Sequence, residues 1–117
     1  MTSLELKHEW IAPDIGCVYL SGRLDIPGVQ EVQLKFTVFT ATQRKPVIVN
    51  LAEVTLITSI GLGMLIGGAN ALSLHGLQMV LLSPQPNVEK VLLMAGLNQV
   101  LPIEHDLEAA LKRLQQG

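Results

Sequence analysis

Hydrophobic residues along this chain recur first at a spacing of two and then at spacings of three and four. Residues 4–11 largely alternate apolar and charged side chains, and a second strand over residues 17–24, with an apolar pattern at 16–20, follows the turn-forming residues 13–16. This pattern predicts a hairpin of two strands. A first helix is predicted to begin at Asp25, and its apolar face consists of Val29, Val32, Phe36 and Phe39.

The middle of the chain predicts a buried strand followed by a second helix. Residues 47–51 form a run of mostly apolar, β-branched side chains that is typical of a fully buried strand. Thr58 and Ser59 are expected where the strand turns into the helix. The residues expected to face the sheet from that helix are Leu62, Leu65, Ile66, Ala69 and Leu72.

The last third of the chain predicts shorter elements. Gly76 is expected to end the second helix and to precede a strand that runs to Leu82. Residues 100–101 are expected to form a brief edge strand, and residues 104–106 to start a last helix. Two further apolar faces are predicted, one of Val88, Val91, Leu92 and Ala95, in a helix that stops at Gly96, and one of Leu107, Ala110, Leu111 and Leu114. Strands that alternate with helices predict one α/β domain over residues 1–117, with a mixed, mostly parallel sheet of about four to five strands and about four helices.

Thr58 and Ser59 carry the most informative local chemistry. Free N–H groups and the positive end of a helix dipole meet at a helix start, where an anion is stabilised. A hydroxyl residue there either caps the helix or accepts a phosphate that the helix end then stabilises. Local chemistry alone favours the cap.

Composition excludes several functional classes. The formal net charge is −2 and the basic residues are scattered, so a nucleic-acid partner is not expected. Cys17 is the single cysteine, which rules out an internal disulfide, and the apolar strand around it predicts a buried thiol. The first residues carry an acid and no apolar signal segment, so we expect a cytoplasmic protein.

Residues 54–88 contain no Asp, Glu, Lys or Arg, which raises the question of a membrane span. Polar residues interrupt the segment, and its apolar core is shorter than the ~20 residues that a bilayer requires. A helix buried against a sheet accounts for the same residues, so no span is expected.

An enzyme is not indicated either. His8, His75 and His105 lie in different predicted elements without metal-ligand spacing, and no nucleophile–base pair stands out. The glycines after Ser59 do not match the spacing of a dinucleotide-binding loop. We therefore expect no catalytic residue, no metal and no cofactor.

Four segments, in order, resemble the STAS domain, the fold of the bacterial anti-sigma factor antagonists. Residues 20–25 (LSGRLD) are similar to its early L-x-G-x-L-D element, and residues 57–63 (ITSIGLG) to its D-S-[ST]-G-L-G turn. Residues 76–82 (GLQMVLL) are similar to its next strand, and residues 91–97 (VLLMAGL) to a helix and its stop. The resemblance covers essentially the whole chain and implies a STAS domain over residues 1–117. Thr58 stands where the family pattern has Asp, and Ile60 where it has a second Ser or Thr.

The resemblance implies a protein-binding switch without enzymatic activity. Its phosphorylation site falls on Ser59, with Thr58 as the alternative acceptor, and the implied partners are an anti-sigma factor with serine kinase activity and a serine phosphatase. The residues expected to bind the partner are Asp25, Thr58, Ser59, Ile60 and Gly61. The alternative is a constitutive STAS scaffold or accessory subunit, in a stress complex or a lipid-transporting ATP-binding-cassette system. An exposed edge strand at residues 4–11 also allows a homo-oligomer.

Overall fold

The computed structural model describes residues 3–116, in which the strands and helices follow the predicted order. The strands are β1 Leu4–Ala12, β2 Ile15–Leu24, β3 Val47–Ile57, β4 Met79–Leu82 and β5 Ile103–Glu104. The α-helices are α1 Ile26–Ala41, α2 Ser59–Ser73, α3 Pro86–Met94 and α4 Leu107–Gln116, and a short 3₁₀ turn spans Leu97–Gln99.

The strands form one sheet in the order β1-β2-β3-β4-β5. β1 and β2 are antiparallel, whereas β2, β3, β4 and β5 run parallel to their neighbours. The predicted α/β architecture with a mixed, mostly parallel sheet is therefore confirmed. Helices α1 and α2 cover one face and enclose the larger hydrophobic core, and α4 covers a smaller core on the opposite face.

The central strand β3 is longer than the sequence predicts. Val47, Ile48, Val49 and Leu51 are fully buried, as predicted, while Asn50 is only partly buried and accepts a hydrogen bond from the Ala52 N–H at 2.9 Å. Beyond Asn50 the strand has no partner in β4 and continues to Ile57. Two side-chain amides cover this open side: Gln85 donates to the Ala52 carbonyl and Asn87 to the Thr55 carbonyl, each at 2.8 Å.

The buried face of α2 is rotated relative to the prediction. Its buried residues are Gly61, Met64, Leu65, Gly68 and Leu72. The predicted residues Leu62, Ile66 and Ala69 are only partly buried. The rotation arises because α2 packs against α1 as well as the sheet: a Cβ atom built on Gly68 would lie 2.7 Å from the Phe36 ring of α1.

Three details of the C-terminal third correct the predictions. Residues 100–101 are not a strand, because the Leu101 N–H bonds to the Leu97 carbonyl at 2.8 Å and closes a helical turn. The edge strand lies after Pro102, at Ile103–Glu104. Ala95 and Leu107 were predicted to face inward but are exposed, since each lies at a helix end.

Candidate functional site

The ends of β2 and β3 bring two helix starts together. These strands are parallel neighbours, and Leu24 at the end of β2 lies opposite Ile57 at the end of β3. The next residues, Asp25 and Thr58, occupy the N-cap positions of α1 and α2. Asp25 and Thr58, which the sequence predicts to belong to the site although they are 33 positions apart, thus lie side by side at the carboxyl ends of two neighbouring strands.

Asp25 caps α1 with its side chain. Its Oδ1 atom accepts a hydrogen bond from the Gly28 N–H at 2.9 Å, as expected for an N-cap aspartate. Its Oδ2 atom accepts from Arg23 Nε at 3.2 Å. Both carboxylate oxygens are thus engaged within the chain, which holds Asp25 in a fixed orientation beside α2.

Thr58 does not cap α2 with its hydroxyl group, contrary to the capping role considered from the sequence. The hydroxyl donates to the Leu24 carbonyl at 2.9 Å, and the Thr58 N–H donates to the same carbonyl at 3.1 Å. The side chain is partly buried. Thr58 therefore fastens the start of α2 to the end of β2.

Ser59 is the first residue of α2 and is exposed. Among residues 3–116 its hydroxyl finds no hydrogen-bond partner. The first helical hydrogen bond runs from the Leu62 N–H to the Thr58 carbonyl at 3.0 Å, so the N–H groups of residues 59–61 precede the helical ladder. A free hydroxyl stands here beside backbone donors and the positive end of a helix dipole, as predicted.

Gly61 lies beneath this surface. It is buried, and a Cβ atom at this position would lie 2.7 Å from the Leu24 carbonyl oxygen and 3.1 Å from a side-chain carbon of Ile57. Only a glycine lets α2 approach the strand ends this closely. Gly61 was predicted to contact a partner, but its buried position gives it a structural role instead. It determines how close the start of α2, with Ser59 and Ile60, lies to the ends of β2 and β3.

Exposed apolar side chains lie at the same end of the sheet as Ser59. Ile26, Leu56 and Ile60 are 58%, 44% and 40% exposed. We call the area formed by Asp25, Ile26, Leu56, Thr58, Ser59 and Ile60 the Ser59 surface. Ile26 and Leu56 were not predicted from the sequence, although apolar residues next to Asp25 and just before Thr58 could have indicated them.

A groove between α1 and α2 continues from the Ser59 surface. It has a volume of about 430 Å³ and runs from Ile60 along Gly63 and Gly67 of α2, opposite Phe36 and Thr40 of α1. Cβ atoms built on Gly63 and Gly67 would meet no other atom within 4 Å. Internal packing does not require these two glycines, and their effect is to leave the groove open.

Cys17 and Tyr19, whose pKa values are raised, lie outside the Ser59 surface, in the first half of β2. Cys17 is buried as predicted, which raises the pKa of its thiol, and the hydrogen bond that Tyr19 donates to Glu9 at 2.6 Å raises the pKa of the Tyr19 hydroxyl. In residues 3–116 no group of three or more His, Cys, Asp or Glu side chains is arranged to hold a metal ion. Within the same residues, no helix has the length and apolar character needed to cross a membrane.

Comparison with known proteins identifies the family. The model of the STAS domain matches residues 11–110, so this chain belongs to the STAS domain family. Two of the four motifs that carry the resemblance in the sequence, residues 20–25 and 57–63, lie at the ends of β2 and β3 and supply most of the Ser59 surface. The extension of the domain over all of residues 1–117 stays a prediction.

Solved structures of anti-sigma factor antagonists share the fold. One from Mycobacterium paratuberculosis is 19% identical, with a TM-score of 0.86, and the match covers 97% of this chain and 95% of that chain. SpoIIAA in its unphosphorylated form is 23% identical, with a TM-score of 0.77 and coverage of 97% and 98%. The phosphorylated form of Bacillus SpoIIAA is also 23% identical, with a TM-score of 0.68 and coverage of 93% and 98%.

The fold also occurs within a much larger chain. The murine anion transporter Slc26a9 is 14% identical with a TM-score of 0.76, and the match covers 89% of this chain but 18% of that chain. At these identities the similarities establish the shared fold.

Proposed function

We propose that this protein is a cytoplasmic anti-sigma factor antagonist, a binding module without enzymatic activity or cofactor. It docks through the Ser59 surface onto an anti-sigma factor with serine kinase activity, and phosphorylation of Ser59 ends the interaction. A separate serine phosphatase restores the free hydroxyl. The observation that supports this proposal best is the exposed, unpartnered hydroxyl of Ser59 at the start of α2.

The two hydroxyl residues of the site have different roles in this proposal. The Thr58 hydroxyl donates to the Leu24 carbonyl and is partly buried, so a kinase would have to break a contact that anchors α2 in order to reach it. The Ser59 hydroxyl is exposed and has no such contact. These contacts favour Ser59 over Thr58 as the acceptor, even though Thr58 replaces the Asp of the family pattern.

A phosphate on Ser59 is compatible with the fold. It adds a charge of about −1.5 to −2 at neutral pH, which the N-terminus of a helix stabilises. Residues 54–88 contain no Lys or Arg, and the nearby Arg23 already pairs with Asp25. The added charge therefore acts mainly on the partner, because it would enter a contact area that also contains the exposed apolar residues Ile26, Leu56 and Ile60 and is adapted to a neutral hydroxyl.

A constitutive scaffold is the second candidate. Ile60 occupies a position where the family pattern has a hydroxyl residue, and it exposes 40% of its surface beside Ser59. An apolar rim of this kind suits a persistent contact as well as a reversible one. The two candidates differ in one respect, which is whether charge at residue 59 controls binding.

The test measures binding of the candidate partner kinases from the same organism by titration calorimetry. Ser59→Ala should bind as tightly as the wild type and should resist phosphorylation, whereas Ser59→Asp should weaken binding by at least tenfold. Ser73→Asp is the matched control, because Ser73 is an exposed serine at the opposite end of α2. Equal affinities of Ser59→Asp and Ser59→Ala would exclude the charge switch and leave the scaffold.

Mass spectrometry of the protein from its native cells provides an independent test. The switch predicts stoichiometric phosphate on Ser59 under one growth condition and none under another. Phosphate on Thr58 instead of Ser59 would contradict the assignment of the acceptor, and no phosphate under growth or stress would support the scaffold.

A further inference from the structure

β1 forms an open edge of the sheet. It is nine residues long, and among residues 3–116 only β2 pairs with it. Edge strands of this length present unpaired N–H and C=O groups that can pair with another chain. The sequence raised this possibility, and the structure defines which backbone groups are free.

The free backbone groups belong to alternate residues. The Ser3 carbonyl accepts a hydrogen bond from the Arg23 N–H at 2.9 Å, and the β1–β2 register continues from this pair without a shift to Trp10. Hydrogen-bonded pairs alternate in an antiparallel ladder, so Glu5, Lys7 and Glu9 direct their backbone groups toward β2. The residues whose backbone groups point away from the sheet are Leu4, Leu6, His8 and Trp10.

The side chains of β1 carry a charge pattern that complements itself. Glu5, Lys7 and Glu9 are exposed on one face of the strand with alternating sign. In an antiparallel pair of identical strands centred on Lys7, Lys7 would face Lys7 and Glu5 would face Glu9, which is unfavourable. Centring the pair on His8 places Lys7 of each copy opposite Glu9 of the other. These are the non-hydrogen-bonded positions, where facing side chains are closest.

An apolar patch on the other face of the strand favours the His8-centred register over one centred on Leu6. Leu34 and Val38 of α1 are 77% and 45% exposed, and Trp10 is 47% exposed. Leu34, Val38 and His8, together with Lys35 and Gln43, border a depression of about 300 Å³ over the Phe39 ring, whose centre lies 4.6 Å from that of His8 and 5.5 Å from that of Trp10. A twofold axis through His8 would bring this patch of one chain against the same patch of the second chain.

We propose that two copies of this chain associate through antiparallel pairing of β1 centred on His8. The two sheets join into one, the Lys7 and Glu9 side chains form two symmetric ion pairs, and Leu34 and Val38 pack across the axis. The Ser59 surfaces lie outside the contact, because they are at the carboxyl ends of β2 and β3. The interface is thus separate from the proposed partner surface.

Sedimentation equilibrium of the full chain and of charge variants tests this proposal. The wild type should show a concentration-dependent mass that approaches twice 12.7 kDa. Lys7→Glu and Glu9→Lys each convert both ion pairs into like-charge pairs, so each should raise the dimer dissociation constant by about tenfold or more. Lys90→Glu, an equivalent charge change on the exposed side of α3, should leave it unchanged.

An equimolar mixture of Lys7→Glu and Glu9→Lys identifies the register. In the His8-centred pair every glutamate of one variant faces a lysine of the other, so the mixture should form a heterodimer about as tight as the wild-type dimer. A Leu6-centred pair would place Glu5 against the glutamate introduced at position 7 and would not recover. The proposal is overturned if the wild type is monomeric at every concentration, or if the mixture stays monomeric. Circular dichroism checks that both variants are folded.

Discussion

Replacing Gly61 with alanine tests how the start of α2 is held against the sheet. The added methyl group would lie 2.7 Å from the Leu24 carbonyl oxygen and 2.8 Å from the Leu24 Cβ atom. The carbonyl is part of the strand backbone and also accepts both hydrogen bonds from Thr58, so it cannot move aside without loss. Gly63→Ala is the matched control, because the same methyl group there would meet no other atom within 4 Å.

The magnitude follows from two opposing effects. Replacing glycine by alanine within a helix stabilises it by roughly 0.5–1 kcal/mol, and this gain applies to both variants. Forcing a methyl group into a filled contact costs about 1–3 kcal/mol, and this cost applies to Gly61→Ala alone. The free energies of unfolding of the two variants should thus differ by about 1–3 kcal/mol. With about 2.1 cal/mol/K of unfolding entropy per residue, a chain of 117 residues should show a difference of about 4–12 °C in Tm.

Urea and thermal unfolding followed by circular dichroism measure this difference directly. Gly63→Ala should unfold at a higher temperature than the wild type and Gly61→Ala at a lower one. If Gly61→Ala proves as stable as Gly63→Ala, the close approach of α2 to the Leu24 carbonyl is not what holds Ser59 in place.

Three further predictions concern the core, the site and pH. Leu65→Ala should lower the free energy of unfolding by ~2–5 kcal/mol in urea titrations, because Leu65 is fully buried, and a loss below about 1 kcal/mol would contradict the packing of α2. Thr58→Val should cost about 0.5–1.5 kcal/mol in the same assay, since it removes one of two hydrogen bonds to the Leu24 carbonyl; no loss would mean that this bond is unimportant. The hydrogen bond and charge of Glu89 raise the pKa of His105 above its ordinary value. The pair therefore stabilises the fold fully at pH values below the pKa of His105 in the unfolded chain, and this stabilisation is lost as the pH rises through the pKa of His105 in the folded protein. Unfolding titrations at several pH values should show that contribution, and His105→Gln should abolish it.

The features predicted correctly from the sequence are those that neighbouring residues determine. The apolar face of α1 is confirmed, and so are the helix start at Asp25, which proves to be the N-cap, and the helix stop at Gly96, which adopts a φ of 72°. Each of these depends on side-chain spacing, on a cap within three residues, or on a backbone conformation that glycine adopts most readily.

The features missed depend on contacts between distant segments. Thr58 has the chemistry of a cap, but its hydroxyl donates a hydrogen bond to the Leu24 carbonyl, 34 residues away, instead of accepting one from the helix. Helix α2 is apolar on nearly every side, so its periodicity did not identify the buried face, which the packing of Phe36 over Gly68 determines. A two-residue strand such as Ile103–Glu104 is defined only by its pairing with β4. Tertiary contacts override local propensity in all three cases.

The length of β3 determines how far the Ser59 surface reaches. The strand continues seven residues beyond Asn50, the last residue paired with β4, which corresponds to roughly 23 Å at about 3.3 Å per residue. The end of this extension lies beside the end of β2 and leads into Thr58 and Ser59, so the Ser59 surface is displaced along β3 from the β3–β4 pairing. Under the proposed function, a partner that binds the Ser59 surface contacts this end of β2 and β3 and leaves β4, β5 and α4 accessible to a third protein.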